Sequence, residues 1–274
     1  MIDIPRAVST GVVSVERLVP FMTEKMRARY TSLPFKAKSA VIAAFPYLSA
    51  APSGGGNIAR YARAADYQET IFRFLSGAAE GKDGFHAVKN GWPLPLVPAA
   101  GMSGVGFTGR HGLQIVAPYG SYVALGAVIC ETELEETAPS GGCLGCGACE
   151  SACPTGAMRF DGSRRVLNRE RCISSITQSK DGARLELLGG SRYIWGCDLC
   201  QEACPHNADA EQTGIPEFRR DIIADIDAGA AVPPGRHYSE GLLRRNLRYS
   251  AAATSSADAT TIASVSQTFD ITPV

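Results

Sequence analysis

A chain of 274 residues with 45% apolar composition is long enough to bury a substantial core in one large domain or two small ones. Its 27 basic and 27 acidic side chains balance, so no overall field draws it to nucleic acid or to an anionic membrane surface. No apolar run approaches the roughly 18–20 residues needed to span a bilayer, and the N-terminus lacks a basic segment followed by an apolar one. Nine cysteines without a secretory signal point to thiolate metal ligation in a reducing, cytoplasmic setting. Residues 14–30 carry apolar positions at helical spacing behind a serine cap, KSAVIAAFPY (38–47) reads as a buried strand, and APSGGGN (51–57) as a flexible loop. IARYARAADYQETIFRFLSGAAE (58–80) is the strongest helical stretch, and 113–130 gives two β segments around a Pro-Tyr-Gly turn. Between 140 and 206 the cysteine motifs take over, with a short helix at LNRERCISSITQ and a hairpin at ARLELLGGSRYI. A basic helical piece, EGLLRRNLRYS, then leads to a tail rich in Ala, Ser and Thr that is expected to be mobile.

The chemistry is concentrated in CLGCGACESACP (143–154) and CDLCQEACP (197–205). Soft thiolates select zinc or iron–sulfur clusters, and C-x2-C-x2-C-x3-C-P is the bacterial ferredoxin run, whose fourth cysteine ligates the other cluster. By that rule Cys143, Cys146 and Cys149 hold one cubane completed by Cys204, and Cys197 and Cys200 hold a second with Cys153. In the second motif Ile194 stands where a fourth cysteine would fall. Two cysteines remain, of which Cys130 lies in the apolar run VALGAVIC and reads as a small buried hydrophobe. Cys172 is therefore the candidate eighth ligand for two [4Fe–4S] clusters. Two structural zinc sites of four thiolates each are the alternative, but they explain neither Pro154 nor Pro205. GVGFTG (104–109) matches G-x-G-x-x-G without the flanking strand and helix of a dinucleotide fold, so Gly104, Gly106 and Gly109 shape a turn or let backbone approach something bulky. His86, His111, His206 and His237 are scattered and read as structural or exposed.

From about residue 38 to 206 the chain resembles the epoxyqueuosine reductase family, relatives of the corrinoid-dependent reductive dehalogenases. The resemblance rests on IARYARAADYQ, SGVGFTGRHGLQI, YGSYVALGAVI, the first cysteine motif, RCISSITQ and YIWGCDLCQEACPHN. It implies an α/β (α+β) fold. Residues 1–135 would form a corrinoid-binding-type domain, 136–210 a ferredoxin-like double-cluster module, and 211–274 a helical extension with its tail. It further implies electron delivery from the clusters to a cobalamin lying against Gly104, Gly106 and Gly109, with Arg110, Arg60 and Arg63 reaching its periphery. The residue-level alternative for these arginines is a solvated helix face.

Three motifs depart from the family pattern. Its D-S-G-P loop, whose aspartate is the proposed proton donor, reads Asn90-Gly91-Trp92-Pro93 here, and an amide cannot donate and recover a proton as a carboxylic acid does. The family's D-Y-H reads Asp66-Tyr67-Gln68, and its G-K-N reads Gly109-Arg110-His111. The helical-repeat extension that some members use for tRNA is not expected here. The expectation is an iron–sulfur oxidoreductase taking electrons from a donor such as a ferredoxin or flavodoxin, with an unidentified small-molecule substrate or protein partner. Neither epoxyqueuosine in tRNA nor nucleic acid in general is expected as its ligand. The alternatives are an electron-transfer protein that docks a partner, and a protein that binds or reduces cobalamin itself.

Overall fold

The computed structural model describes residues 2–50, 55–161 and 164–255. Four strands form one antiparallel sheet in the order β1-β2-β6-β3: β1 (Ser9–Ser14), β2 (Ser39–Pro46), β6 (Val123–Cys130) and β3 (Phe85–Val88). β2 and β6 are central, paired from Ser39 with Cys130 to Pro46 with Val123, which makes the sheet the α+β rather than the parallel arrangement. Every residue of β2 is buried because both faces of the sheet are covered. Its side chains alternate between them: Val41, Ala43 and Phe45 meet α2 (Tyr67–Ala79) through Ile71 and Leu75. Ala40, Ile42 and Ala44 face Leu18, Met22 and the residues of α3 (Leu96–Met102). A two-sided core reads in sequence as an unbroken apolar run.

The N-terminal helix expected over 14–30 is instead three pieces. Ser14 ends β1 opposite Ser39, a 3-10 turn spans Glu16–Phe21 around Pro20, and α1 (Glu24–Thr31) restarts behind Thr23, whose side chain accepts from the Met26 N–H at 3.2 Å. The helix expected over 58–80 begins only at Tyr67. Ile58 bridges to Trp195, Arg60–Ala62 form a 3-10 turn, and Asp66 caps α2 by accepting from Gln68 N at 2.9 Å and Glu69 N at 3.4 Å. After the glycine-rich turn, the short strands β4 (Phe107–Thr108) and β5 (Gln114–Ile115) pair with each other and lead into β6.

The cysteine module holds α4 (Ala148–Ser151), the hairpin of β7 (Met158–Asp161) and β8 (Arg164–Leu167), α5 (Ile173–Gln178) and α6 (Leu199–Glu202). The expected hairpin at ARLELLGGSRYI is instead a 3-10 turn over Leu185–Leu188, whose Leu185 and Leu188 pack with Ile173 and Ile176. The chain then turns back. Thr213 N donates to Leu48 O at 2.6 Å, and Ile215 and Phe218 enter the core beside Phe45 and Val12. Asn57 ties the start of the 55–66 segment to the returning strand of chain through bonds with Asp225 and Ile226. Last, α7 (Glu240–Ser255) reaches into the stretch expected to be mobile, while residues beyond 255 lie outside the described ones, as do 51–54 of the expected flexible loop. Among the described residues no helix is long and apolar enough to cross a membrane.

Candidate metal centre and adjoining cavity

Each cysteine motif wraps a loop and then enters a single helical turn, with Gly147 before α4 and Asp198 before α6. Gly147 has φ +76°, a left-handed backbone that glycine adopts without steric cost and that lets the loop double back on its own thiols. Cys143, Cys146, Cys149 and Cys204 line one small pocket together with Arg110, His111 and His206. The Cys204 thiol is raised by burial, is lowered by the His206 N–H, and feels Cys143 and Cys146 as further raising neighbours. The Cys149 thiol responds in the same way to burial and then to Cys143 and Cys204.

The other four sulfurs gather on the inner side. Burial pushes the Cys200 thiol up to about 12, with Cys172, Cys149 and Cys153 adding to the shift. The Cys197 thiol is raised further still, by burial and then by Cys200, Asp198 and Cys172. Cys172 caps α5, and Cys153 accepts the Ala157 N–H at 3.3 Å. Cys149, Cys197, Cys200 and Cys204 are thus costly to ionise unless a metal offsets their charge. Among the described residues no three His, Cys, Asp or Glu side chains converge closely enough for one ion. Ile194 is fully buried against Ile58, Ala62 and Leu243, a packing position rather than a ligand position, and Cys130 lies in the sheet core with its thiol raised to about 11 by burial.

A cavity of about 390 Å³ lies between α2, the sheet and the cysteine module. Cys197 forms part of its wall, and so do Asn90, Tyr67, Gln68, Gln114 and Gln178. Asn90 adopts φ 56°, ψ 24°, a left-handed conformation that asparagine tolerates better than most residues. No lining residue carries a carboxylate or a basic group. The polar wall is made of amides, hydroxyls and phenols, and burial raises both Tyr61 and Tyr67, the latter partly offset by the Gln68 amide that donates to Tyr67 Oη at 3.2 Å.

The module is clamped to the sheet beside this cavity by buried amides. Asn207 Oδ1 accepts from Ser121 N at 2.6 Å, and its Nδ2 donates to Ser121 Oγ at 2.8 Å and Gln201 O at 2.7 Å. Gln201 Nε2 donates to Tyr47 Oη at 3.1 Å and to Ser121 O at 3.0 Å. Asp198, between two candidate ligands, accepts the Arg60 N–H at 2.8 Å. Burial raises its carboxyl to about 6, against the Arg60 N–H and the charges of Arg63 and Arg60. Neither this clamp nor the cavity has a signature in the sequence, because each joins residues far apart in the chain.

The residues expected to hold a cofactor are placed differently. Arg63 is 1% exposed, and its guanidinium donates to the carbonyls of Ile58 and Gly55, so it supports the 55–63 turn. Arg60 pairs with Glu202 and lies over the Tyr122 ring rather than on the cavity wall. Gly104, Gly106 and Gly109 approach the chain itself: a Cβ would fall 2.2 Å from Ala138 O at Gly104, 1.9 Å from Ile115 O at Gly106 and 2.6 Å from His111 at Gly109. Arg110 reaches the first cysteine pocket, where Nη1 donates to Gly145 O at 2.9 Å. Asn90 alone of the predicted non-cysteine residues lines the cavity.

The two cysteine motifs mark a double-cluster iron–sulfur protein, and residues 142–207 match the 4Fe-4S double cluster binding domain. The chain is 33% identical over 174 residues to the epoxyqueuosine reductase of Lactococcus garvieae, covering 61% of this chain and 49% of that one. With the Pseudomonas aeruginosa epoxyqueuosine reductase it shares 33% over 213 residues, covering 74% and 56%. The chain is a homologue of the epoxyqueuosine reductases, and it spans about half the length of the curated relatives it matches. A solved epoxyqueuosine reductase carrying an epoxyqueuosine-modified tRNA-Tyr stem loop superposes with a TM-score of 0.74 at 23% identity, over 90% of this chain and 78% of that one. The Bacillus subtilis enzyme, with its aspartate catalytic loop swung out of the active site, superposes at 0.71 and 23% identity over the same shares. The expectation that an RNA substrate is excluded finds no support in these comparisons.

Proposed function

We propose that the chain is a reductase in which Cys143, Cys146, Cys149 and Cys204 hold one [4Fe–4S] cluster and Cys153, Cys172, Cys197 and Cys200 hold the other. Electrons leave the second cluster into the cavity that Cys197 walls. The observation that carries this reading is the presence of Cys197 and Asn90, the position of the family's acid, on one cavity wall. The amide-rich, uncharged lining fits the amide-fringed edge of a corrinoid, with the amides of Gln68 and Gln178 on its wall and Gln114 held by Thr108 and Val105. A corrinoid, when bound, would supply a metal able to pass two electrons to the substrate. The chain's own contribution is to exclude water with Ile71, Leu75 and Val123, to orient the ligand with these amides, and to offer phenolic protons from Tyr61 and Tyr67. Equilibrium titration of cobalamin into anaerobically reconstituted protein tests the assignment by a shift of the corrinoid bands. No binding up to high micromolar concentration would sink it.

The relatives' names make epoxyqueuosine in an RNA stem loop the first substrate to assay. A well-placed general acid contributes roughly 10²–10⁴-fold, and Asn90 cannot supply it, so wild-type turnover is expected to be absent, with at most a trace for Asn90→Asp. Aspartate tolerates the same left-handed backbone, which keeps the comparison clean. Robust wild-type turnover would overturn this view of Asn90 and leave a tyrosine or water as the proton source. The uncharged lining favours a second reading, in which cobalamin itself is the species reduced. Corrinoid reduction with no substrate turnover would select it.

A further inference from the structure

We propose that the ring N–H of His206 donates a hydrogen bond to the first iron–sulfur cluster and raises its reduction potential. This rests on the reading that Cys143, Cys146, Cys149 and Cys204 hold that cluster. His206 lines the pocket that these four cysteines share. The residue as a whole is half-buried, yet its Nε2 is sealed from solvent and has no hydrogen-bond partner among the described residues. A buried ring nitrogen left unpaired is costly, so such an atom points to a group that completes it. The pocket tells which group. Its wall carries four thiols, and sulfur accepts hydrogen bonds once a metal has taken the thiol proton. Nε2 is therefore assigned the ring proton, since a lone pair facing sulfur would gain nothing.

The local sequence holds this ring in place. Pro205 opens a 3-10 turn over Pro205–Asn207, and Asn207 fastens that turn to the sheet through Ser121. The His206 backbone N–H is already directed at the Cys204 sulfur. Its ring sits edge to face against Phe107 of β4, with centroids 5.1 Å apart and planes at 69°. The second set of thiols has a different surround. His86 stacks on Phe35 beside Glu131, and His237 packs on Tyr61 and Tyr67, so both are engaged elsewhere. The fully buried Asp198 stands next to Cys197. Among the described residues the first pocket's wall holds Arg110 and no carboxylate, for Glu150 beside Cys149 is not part of it. Reduction adds one electron, whose charge spreads over the cluster's sulfurs. An N–H aimed at them favours the reduced form over the oxidised one and moves the potential upward. Cys143 and Cys146 are exposed, so the donor makes the solvent-facing cluster the readier acceptor of an electron from outside.

The test is a redox titration of the full chain, reconstituted anaerobically and followed by EPR. The first cluster is the one whose reduced signal Cys172→Ala leaves in place. His206→Phe keeps a ring beside Phe107 and removes the donor. It is expected to make reduction of that cluster about tenfold less favourable, a fall of about 59 mV for one electron. His206→Gln, whose amide N–H takes the place of Nε2–H, should recover most of that difference, with iron content as in wild type for both. An unchanged midpoint in His206→Phe would overturn the proposal. So would an equal fall in the two variants, which would mark a packing effect. A measurement on the unsubstituted chain decides the matter even where a variant fails to fold. With isotopically labelled histidine, pulsed EPR of the reduced first cluster should show coupling to a ring nitrogen, and a spectrum without it would overturn the proposal. A chain that assembles no cubane fails earlier, at iron content, and would refute the ligand reading on which the proposal rests.

Discussion

The sheet domain and the cysteine module are built on opposite principles. The sheet's central strands pair over eight residues each and bury Val41, Ile42, Phe45 and Val128 completely, so its stability comes from apolar burial and a regular hydrogen-bond ladder. The module has α-helices of only four to six residues, one two-stranded hairpin and eight candidate thiol ligands, of which Cys149, Cys197, Cys200 and Cys204 are raised by burial. Short helices do not persist without tertiary support. The first region is therefore expected to hold its structure without metal, and the second to need the iron its cysteines are spaced to receive.

Removal of iron by chelation under reducing conditions should break this contrast most completely. Proteolysis is expected to open the chain between 140 and 206, while amide protection in β2 and β6 survives. Protection lost equally in both regions would show that the sheet also needs the clusters. Cys172→Ala narrows the same test to one cluster: it should lose or convert that cluster, whereas Cys130→Ala should leave iron content unchanged. Next in size is Ile42→Ala, which should cost about 2–5 kcal/mol in chemical denaturation because the residue is fully buried in a two-sided core. Its iron content per folded molecule should not change. Asn207→Ala removes the clamp and leaves buried donors and acceptors unpaired at Ser121 and Gln201, for about 1–3 kcal/mol. Because the clamp joins the two regions, its loss should separate their unfolding transitions.

The smallest effect concerns pH. Burial tends to raise the Asp66 carboxyl, but His237 and the N–H groups of Gln68 and Glu69 together hold it below its ordinary value of 3.8. A carboxyl depressed on folding stabilises the protein above its unfolded pKa, and that contribution is lost as pH falls through the lower folded value. Stability measured from neutral to acid pH should therefore decline less steeply for Asp66→Asn than for wild type over that window. Identical acid limbs would assign the α2 cap no linkage to protonation.

The sequence was most legible where function is local. The cysteine spacings and the buried strand at 38–47 are short-range patterns, and both have counterparts in the structure. Helical periodicity through residues 58–66 was misleading because Ile58 is claimed by Trp195 and Arg63 by the carbonyls of Gly55 and Ile58, partners that propensity does not see. The resemblance implies a cofactor against the glycine-rich segment, yet its close approaches are to Ala138, Ile115 and His111 of the same chain. The cavity was invisible for a related reason. It is assembled from α2, β6, the Asn90 turn and Cys197, and only folding brings them to one wall.

The return of the chain to the first core bears on how the protein is made. Ile215 and Phe218 pack beside Val12 and Phe45, so that face of the sheet remains unfinished until residue 218 has left the ribosome. By then all eight candidate ligands, from Cys143 to Cys204, have already emerged. Domains usually complete themselves in order from the N-terminus during synthesis, but here the sheet that begins at Ser9 closes only after every candidate ligand has emerged. The interval gives an iron donor access to the thiols while the sheet that will support them is still open on one side. A chain interrupted before residue 215 would leave the apolar face around Phe45 without its lid, and would be directed to degradation or aggregation even with every cysteine in place.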